Sequence, residues 1–188
     1  MDSTKIKKDF ASIKASKDLL NLLNKVKKSE LGDKYHPFSF DQLFYYCNPK
    51  REDVIRYRTF RIPKKSGGKR KISSPVRGLK SIQITLNKIF QAVYEPTKYA
   101  MGFTPKRSVV TNAQLHVGQR YIYNADIKDF FSSINRSRVW KRLTLKPFCL
   151  PSNIADMVAG ICTMRDIDQD GNVRYILPQG APTSPIIT

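Results

Sequence analysis

The first part of the chain mixes apolar residues with lysines at helical spacing. Its apolar positions are Ile6, Phe10, Ile13, Leu20 and Leu23. Residues three, four or seven apart share one face of a helix, so this spacing predicts an amphipathic helix over 6–26 that ends near Gly32. We expect its lysine-rich face to be solvated and its apolar face to make only a small contact with the core.

Two further helices are marked by their ends. Ser39 and Gln42 form a capping-box pattern, and the dipeptide Asn48-Pro49 stops the helix that follows them. The next helix has one apolar face and is terminated by Pro96. The residues of that face are Leu79, Ile82, Leu86, Ile89, Phe90 and Val93.

Two β-hairpins are predicted from alternating patterns and turn residues. Residues 57–72 alternate apolar and basic side chains around a turn at Ser66-Gly67-Gly68, which gives a hairpin with cationic arms. Asp170-Gly171 is a turn signal between 162–167 and 173–177. The run that starts at Asp166 opens like a calcium-binding loop, but the position that should carry a glutamate is Leu177, so calcium is rejected.

The segment between the hairpins is predicted to hold one helix and one strand. Ser108 is suited to cap a helix that runs to Gly118, and residues 121–127 are interpreted as a short strand. Helices and strands follow one another irregularly, which favours an α+β fold over a doubly wound sheet.

The composition of the chain indicates the class of partner that it binds. The chain has 34 Lys and Arg against 15 Asp and Glu, a formal net charge of +19. Self-repulsion of this size favours a polyanionic partner, and a nucleic-acid phosphate backbone is the usual one. An anionic membrane fits less well, and charge alone indicates no reaction.

Cysteine usage and the N-terminus suggest a cytoplasmic protein. The widely spaced Cys47, Cys149 and Cys162 form no CxxC pair, and we predict that all three are reduced core residues. Lysines interrupt the first 30 residues, so no apolar leader is present, and no stretch reaches the length of a membrane span.

Asp126 and Asp129 are the candidate catalytic carboxylates. A carboxylate at the end of a strand in so basic a chain is well placed to hold a divalent cation against phosphate. Taken alone, an aspartate at a junction between a strand and a helix is more often a cap or an ion-pair partner. The pattern gains meaning from its neighbours along the chain.

Four sequence blocks around these residues resemble, in order, those of retron-type bacterial reverse transcriptases. The blocks are 62–70 (IPKKSGGKR), 102–108 (GFTPKRS), 125–131 (ADIKDFF) and 177–185 (LPQGAPTSP). Each block is weak to moderate evidence, but four in the right order are strong evidence. The run 112–116 (NAQLH) also matches an Asn-Ala-x-x-His signature of retron enzymes.

The resemblance implies an RNA-directed DNA polymerase with two Mg²⁺ ions, or Mn²⁺ in their place. Asp126 would be the catalytic metal ligand, and the backbone carbonyl of Ile127 would help to hold the metal. Lys64 and Arg70 would grip the triphosphate, and Asp129 would lie beside the sugar and triphosphate.

Further nucleotide and nucleic-acid contacts follow from the same resemblance. Phe131 would be the steric gate that excludes a ribose 2′-hydroxyl, although packing against Phe130 is its ordinary alternative. Gln179 and Gly180 would line the base-pair pocket, or would be simply a turn. The residues assigned to nucleic-acid binding are Lys69, Lys71, Arg77, Lys106, Arg107, Asn112 and His116. Asn112 and His116 are predicted to share one helix face, where a buried structural pair is as good an interpretation as RNA contact.

The implied architecture is a right-hand polymerase fold with fingers and a partial palm only. We assign 1–100 and 134–180 to the fingers, with a basic N-terminal helical extension, and 101–133 and 181–188 to the palm. The second catalytic palm block, Tyr-x-Asp-Asp, does not occur in the 188 residues, and we expect these residues to include no thumb. We therefore expect an N-terminal piece of a polymerase that is inactive alone and self-associates as a homodimer.

The implied partners are an RNA template, a DNA or RNA primer and dNTPs, with a structured noncoding RNA as the cognate template. A role in antiviral defence is an expectation from the family. Three alternatives stay open. They are a non-catalytic basic RNA- or DNA-binding module, an RNA-copying RNA polymerase, which Phe131 disfavours, and a defence-linked reverse transcriptase of the abortive-infection type.

Overall fold

The computed structural model describes residues 1–64 and 67–188. Its α-helices are α1 (Ser3–Ala11), α2 (Ser16–Leu31), α3 (Phe40–Cys47), α4 (Arg77–Val93), α5 (Val109–Gln114), α6 (Arg136–Thr144), α7 (Ser152–Cys162) and α8 (Ser184–Ile187). Its strands are β1 (Tyr57–Pro63), β2 (Lys69–Pro75), β3 (Met164–Ile167) and β4 (Val173–Ile176). A 3₁₀ turn at Gly32–Lys34 follows α2.

Helix α4 lies at the centre of the hydrophobic core. It buries one apolar face, as its spacing predicts, and α1, α2 and α7 pack against it. The rings of Phe10, Phe90 and Phe148 meet edge to face, with centroids 5.1–6.5 Å apart. Edge-to-face pairs stabilise a core beyond their buried area, so this cluster ties α1 and the loop after α6 to α4.

The prediction of one helix over 6–26 is wrong, because the chain forms α1 and α2 with a break between them. The carboxylate of Asp18 accepts hydrogen bonds from the backbone N–H groups of Lys14 (3.0 Å) and Ala15 (2.9 Å), and these bonds lower the pKa of Asp18. That arrangement starts a new helix. The predicted small core contact is also wrong, because α1 and α2 bury seven apolar side chains. They are Ile6, Phe10, Leu19, Leu20, Leu22, Leu23 and Val26.

Helix α3 begins and ends where the sequence predicts. Ser39 Oγ accepts from the N–H of Gln42 (3.1 Å), and Gln42 Oε1 accepts from the N–H of Ser39 (3.3 Å), which completes the capping box. The helix packs closely on α7, where a Cβ added to Gly160 would lie 1.7 Å from the carbonyl oxygen of Cys47. Only a glycine allows two backbones to approach this closely.

Both predicted hairpins form, as two separate two-stranded antiparallel sheets. Strands β1 and β2 pair from Tyr57 opposite Pro75 to Pro63 opposite Lys69, and the predicted turn residue Ser66 lies outside the described residues. Strands β3 and β4 pair from Met164 opposite Ile176 to Ile167 opposite Val173. Cys162 belongs to α7 and not to the second hairpin, because the helical hydrogen bonds of α7 continue to that residue.

The predicted strand over 121–127 is wrong. Those residues are exposed and irregular, and no strand of the described chain lies beside them. A strand needs a neighbour to satisfy its N–H and C=O groups, so alternation alone does not form one. The helix capped by Ser108 does form, because Ser108 Oγ accepts from the N–H of Thr111 (3.2 Å), but it ends at Gln114 and not at Gly118.

The mixture of helices and separate antiparallel hairpins agrees with the predicted α+β class. The prediction of three core cysteines is only partly right. Cys162 is buried and Cys47 is half-buried, whereas Cys149 is exposed beyond the end of α6. Among the described residues, no helix is both long and apolar enough to cross a membrane.

Candidate active site

The hairpin that carries the first sequence block contacts the fourth block through Ile72 and Ser73, which follow the first block in β2. The N–H of Ser73 in β2 donates to the carbonyl oxygen of Gln179 (2.8 Å). Gly180 has a φ of +117°, and a Cβ there would lie 2.9 Å from Ile72 Cγ2 and 3.1 Å from Ser73 O. The glycine is required by its conformation and by its closeness to β2. Residues 179–180 form a turn on which the cationic hairpin packs, and their role in a base-pair pocket stays a prediction.

The second, third and fourth blocks line one open cavity of about 540 Å³. The lining residues from the blocks are Gly102, Phe103, Thr104, Pro105, Phe130, Phe131, Pro182 and Pro185. Tyr94 and Gln91 complete part of its wall from the end of α4. Blocks that are up to 83 positions apart in the chain therefore meet on one side of the molecule.

Asp126 and Asp129 lie on the exposed segment that leads to this cavity. Asp129 has a φ of +52°, and its carbonyl oxygen accepts from the N–H of Ser133 (3.0 Å) and from Ser132 Oγ (3.0 Å). A left-handed residue in a tight turn points the chain in a new direction, so the chain turns at Asp129, between Asp126 and Phe131. Within 1–64 and 67–188, no group of three or more His, Cys, Asp or Glu side chains is placed to hold a metal ion.

Phe131 packs against Phe130 and the core and also lines the cavity, while its role as a steric gate stays a prediction. Its side chain is half-buried and packs on the hydrophobic core, and its ring meets that of Phe130 edge to face at 5.4 Å. Both rings also line the cavity. The packing holds the Phe131 ring in a fixed orientation, which a steric gate would need.

The cations of the first hairpin differ in their surroundings. Lys64, Lys69 and Arg70 are exposed, and in the described part of the chain they have no carboxylate partner. Lys71 instead donates to Asp166 Oδ1 (2.9 Å). Burial favours a higher pKa for the Asp166 carboxyl, but the hydrogen bonds and charges of Lys71 and Arg174 outweigh burial, so the pKa is lowered.

The other predicted nucleic-acid ligands are spread over the surface. Arg77 and Lys106 are exposed, whereas the Arg107 guanidinium donates to the carbonyl oxygens of Ala100 (2.7 Å) and Thr97 and so ties its own loop together. The expectation that Asn112 and His116 share a helix face is wrong, because α5 ends before His116. Both are exposed, so the buried structural pair is also excluded.

Two buried polar side chains that support the hairpin were missed in the sequence. Arg56 is 6% exposed, and its guanidinium donates to the carbonyl oxygens of Tyr46 (2.6 Å), Gly160 (2.5 Å) and Thr163 (3.0 Å). Burial lowers the pKa of Arg56. These three hydrogen bonds fix the start of β1 against α3 and α7. An arginine inside the otherwise apolar run Val54-Ile55-Arg56-Tyr57 was the available signal.

Gln83 makes the second such link. Its side-chain amide donates to the hydroxyl of Tyr57 (2.8 Å) and to the carbonyl oxygen of Ile161 (2.9 Å). Burial raises the pKa of Tyr57, so this hydroxyl stays neutral. The hairpin is thus anchored to α4 and α7 at its base.

Comparisons with known proteins agree with the order of the blocks. The family model described as reverse transcriptase (RNA-dependent DNA polymerase) matches residues 62–188, more than half of the chain. The retron Mx65 reverse transcriptase of Myxococcus xanthus is 34% identical over 152 residues, which cover 76% of this chain and 35% of that protein.

Two further retron reverse transcriptases are similar to this chain to a comparable degree. The retron Mx162 reverse transcriptase of Myxococcus xanthus is 31% identical over 89% of this chain and 36% of its own length. The retron Ec86 reverse transcriptase of Escherichia coli is 30% identical over 70% of this chain and 38% of its own length. The chain thus spans little more than a third of these relatives. The extent of the family match shows that the chain belongs to the reverse transcriptase (RNA-dependent DNA polymerase) family.

Proposed function

We propose that the protein of which this chain is part is a retron-type RNA-directed DNA polymerase, and that this chain supplies its fingers and the first part of its palm. The observation that carries the proposal is the convergence of the four blocks. The hairpin of the first block sits on the Gln179–Gly180 turn, and the other three line one cavity. A non-catalytic basic RNA- or DNA-binding module would need the positive charge of this chain, but it would not need the four blocks to converge.

In this proposal the exposed cations of the hairpin bind the incoming triphosphate. Lys64 and Arg70 have no carboxylate partner among the described residues, so their charge is available to offset the negative charge that develops in the transition state. Gln179 and Gly180, directly under β2, line the base-pair pocket. The remaining exposed cations, Lys69, Arg77 and Lys106, contact the phosphate backbone without reading sequence.

Asp126 and the carbonyl of Ile127 fit a Mg²⁺ site that is completed by other groups. Mg²⁺ prefers hard oxygen ligands and is commonly held by one or two carboxylates together with water and substrate phosphates. Asp126 is an accessible carboxylate, which suits such a site, while a cluster of three ligands is not required. When bound, the metal would lower the pKa of the primer 3′-hydroxyl and neutralise charge on the leaving pyrophosphate.

The residues of the third block divide the remaining tasks. Asp126 supplies the metal-binding carboxylate, and Asp129, in the turn between Asp126 and Phe131, lies beside the sugar and triphosphate. Phe131, fixed by its packing against Phe130 and the core, excludes a 2′-hydroxyl and favours deoxynucleotides. The substrates are therefore dNTPs, with an RNA template and a primer, and a structured noncoding RNA is the expected template for a retron-type enzyme.

Primer extension with the complete protein from the same gene tests the reaction. Four reactions combine an RNA or a DNA template with dNTPs or NTPs, each in Mg²⁺. We expect DNA synthesis on the RNA template with dNTPs and at least tenfold less product with NTPs, because discrimination by steric exclusion is of this order or larger. Efficient use of NTPs would favour an RNA polymerase. Binding of RNA without any synthesis would favour the non-catalytic module.

A further inference from the structure

Asp166 joins the two hairpins of the molecule. It lies on β3, and its side chain is 9% exposed. Oδ1 accepts from Lys71 Nζ (2.9 Å), which comes from β2, and Oδ2 accepts from Arg174 Nη2 (3.0 Å) and Nε (3.2 Å), which come from β4. The two cations reach this carboxylate from different sheets.

The two ion pairs have different consequences. Asp166 and Arg174 are directly opposite each other in the second hairpin, so their contact lies within one sheet. Lys71 belongs to the first hairpin, so its contact with Asp166 connects the two sheets. Removal of Lys71 therefore takes away a charge contact between the hairpins, whereas removal of Arg174 takes away charge contacts within the second hairpin.

The Lys71 contact also shows which face of β2 is turned toward β3. Successive side chains of a strand point to opposite faces, so Arg70 points away from the face on which Lys71 reaches Asp166. Two positions further along β2, the N–H of Ser73 donates to Gln179 O (2.8 Å). Lys71 and Ser73 thus hold β2 at two points, one on β3 and one on the Gln179–Gly180 turn.

We propose that Asp166 is a positioning residue for nucleotide binding, which docks β2 through Lys71 and so presents Arg70 to the triphosphate above the Gln179–Gly180 turn. This role rests on the proposed polymerase function. Lys71 then acts through the carboxylate of Asp166, and its earlier assignment as a phosphate ligand is replaced.

Three single variants and one double variant test this role: Asp166→Asn, Lys71→Met, Asp166→Asn/Lys71→Met and, as the matched control, Arg174→Met. In the complete protein, we expect Asp166→Asn and Lys71→Met to raise the KM for dNTP about three- to tenfold with kcat changed less than about twofold, because they weaken ground-state binding. The double variant should raise the KM for dNTP no more than either single variant does, because the two residues act through one contact. Arg174→Met should leave the KM for dNTP within about twofold of the wild-type value, since only the contact inside the second hairpin is lost.

Amide hydrogen exchange of Ser73 in this chain gives a readout that does not need polymerase activity. Its N–H is held by Gln179 O, so exchange reports undocking of β2. We expect faster exchange in Asp166→Asn and Lys71→Met but not in Arg174→Met.

The outcomes separate this inference from the proposed function. Unchanged Ser73 exchange in both Asp166→Asn and Lys71→Met overturns the docking, whatever the kinetics show. Faster exchange with an unchanged KM, or an Arg174→Met effect as large as that of Lys71→Met, overturns the positioning role. A complete wild-type protein that makes no DNA overturns the proposed function and the nucleotide role with it, while Ser73 exchange still decides whether Asp166 docks the hairpin.

Discussion

At the scale of single residues, most of the residues that hold the candidate site together contact the backbone of another element. Gly160 admits the carbonyl of Cys47, Gly180 admits β2, and Arg56 binds three carbonyl oxygens. A sequence shows that such a residue is a glycine or an arginine, but not which distant backbone it meets. The roles of Gly160 and Arg56 therefore could not be predicted, whereas Gly180 was found because its block resembles a known one.

The contact at Gly160 gives the sharpest stability prediction. In Gly160→Ala the new methyl would lie 1.7 Å from Cys47 O, so α3 and α7 must move apart. We expect a loss of about 2–4 kcal/mol in the free energy of unfolding, as for severe overpacking in a core. Denaturant titration followed by circular dichroism measures this loss.

Gly102→Ala is the matched control for that experiment. A Cβ at Gly102 has no atom within 4 Å and its backbone φ is not in the left-handed region, so the change in unfolding free energy should be within about 0.5 kcal/mol. Equal stabilities of the two variants would show that α3 and α7 do not approach as closely as described.

At the scale of elements, local signals predicted local structure. The capping box at Ser39, the apolar face of α4 and both hairpin turns produced correct elements because the residues that decide them are neighbours in the chain. The break between α1 and α2 was missed because the apolar spacing continues across it, while Asp18 decides it through two backbone N–H groups. Alternation over 121–127 was misleading, because a strand also depends on a distant partner.

Segment 121–127 provides a test of the corrected element. Its residues are exposed, Tyr123 to 92%, and they make no backbone hydrogen bonds with the described chain. We expect their amides in this chain to exchange at nearly the rate of an unfolded peptide, and those of β2 to exchange at least tenfold more slowly. Hydrogen exchange followed by mass spectrometry makes the comparison. Protection of 121–127 equal to that of β2 would mean that this segment is paired as a strand.

At the scale of the whole molecule, the charge of +19 predicted a polyanionic partner class, and the order of the four blocks predicted the family, which the family match confirms. Their spatial convergence could not be obtained from spacing, since it depends on how β2 packs on the Gln179–Gly180 turn and how the second and third blocks meet at the cavity. The division into fingers and palm stays a prediction. Self-association also stays a prediction, and the exposed apolar side chains of Tyr99, Phe103, Tyr121 and Ile122 support it.

We propose that Asp126 serves the chemistry of RNA-templated DNA synthesis. The most direct test of this proposal is primer extension by the complete protein with an RNA template, dNTPs and Mg²⁺, in the wild type, in Asp126→Ala and in Asp33→Ala. Asp33 is an exposed carboxylate in the turn after α2 and controls for the loss of one surface charge. We predict that Asp126→Ala lowers kcat by at least about 10³-fold while RNA binding is retained, and that Asp33→Ala behaves as the wild type. Synthesis by Asp126→Ala at the wild-type rate would contradict the account.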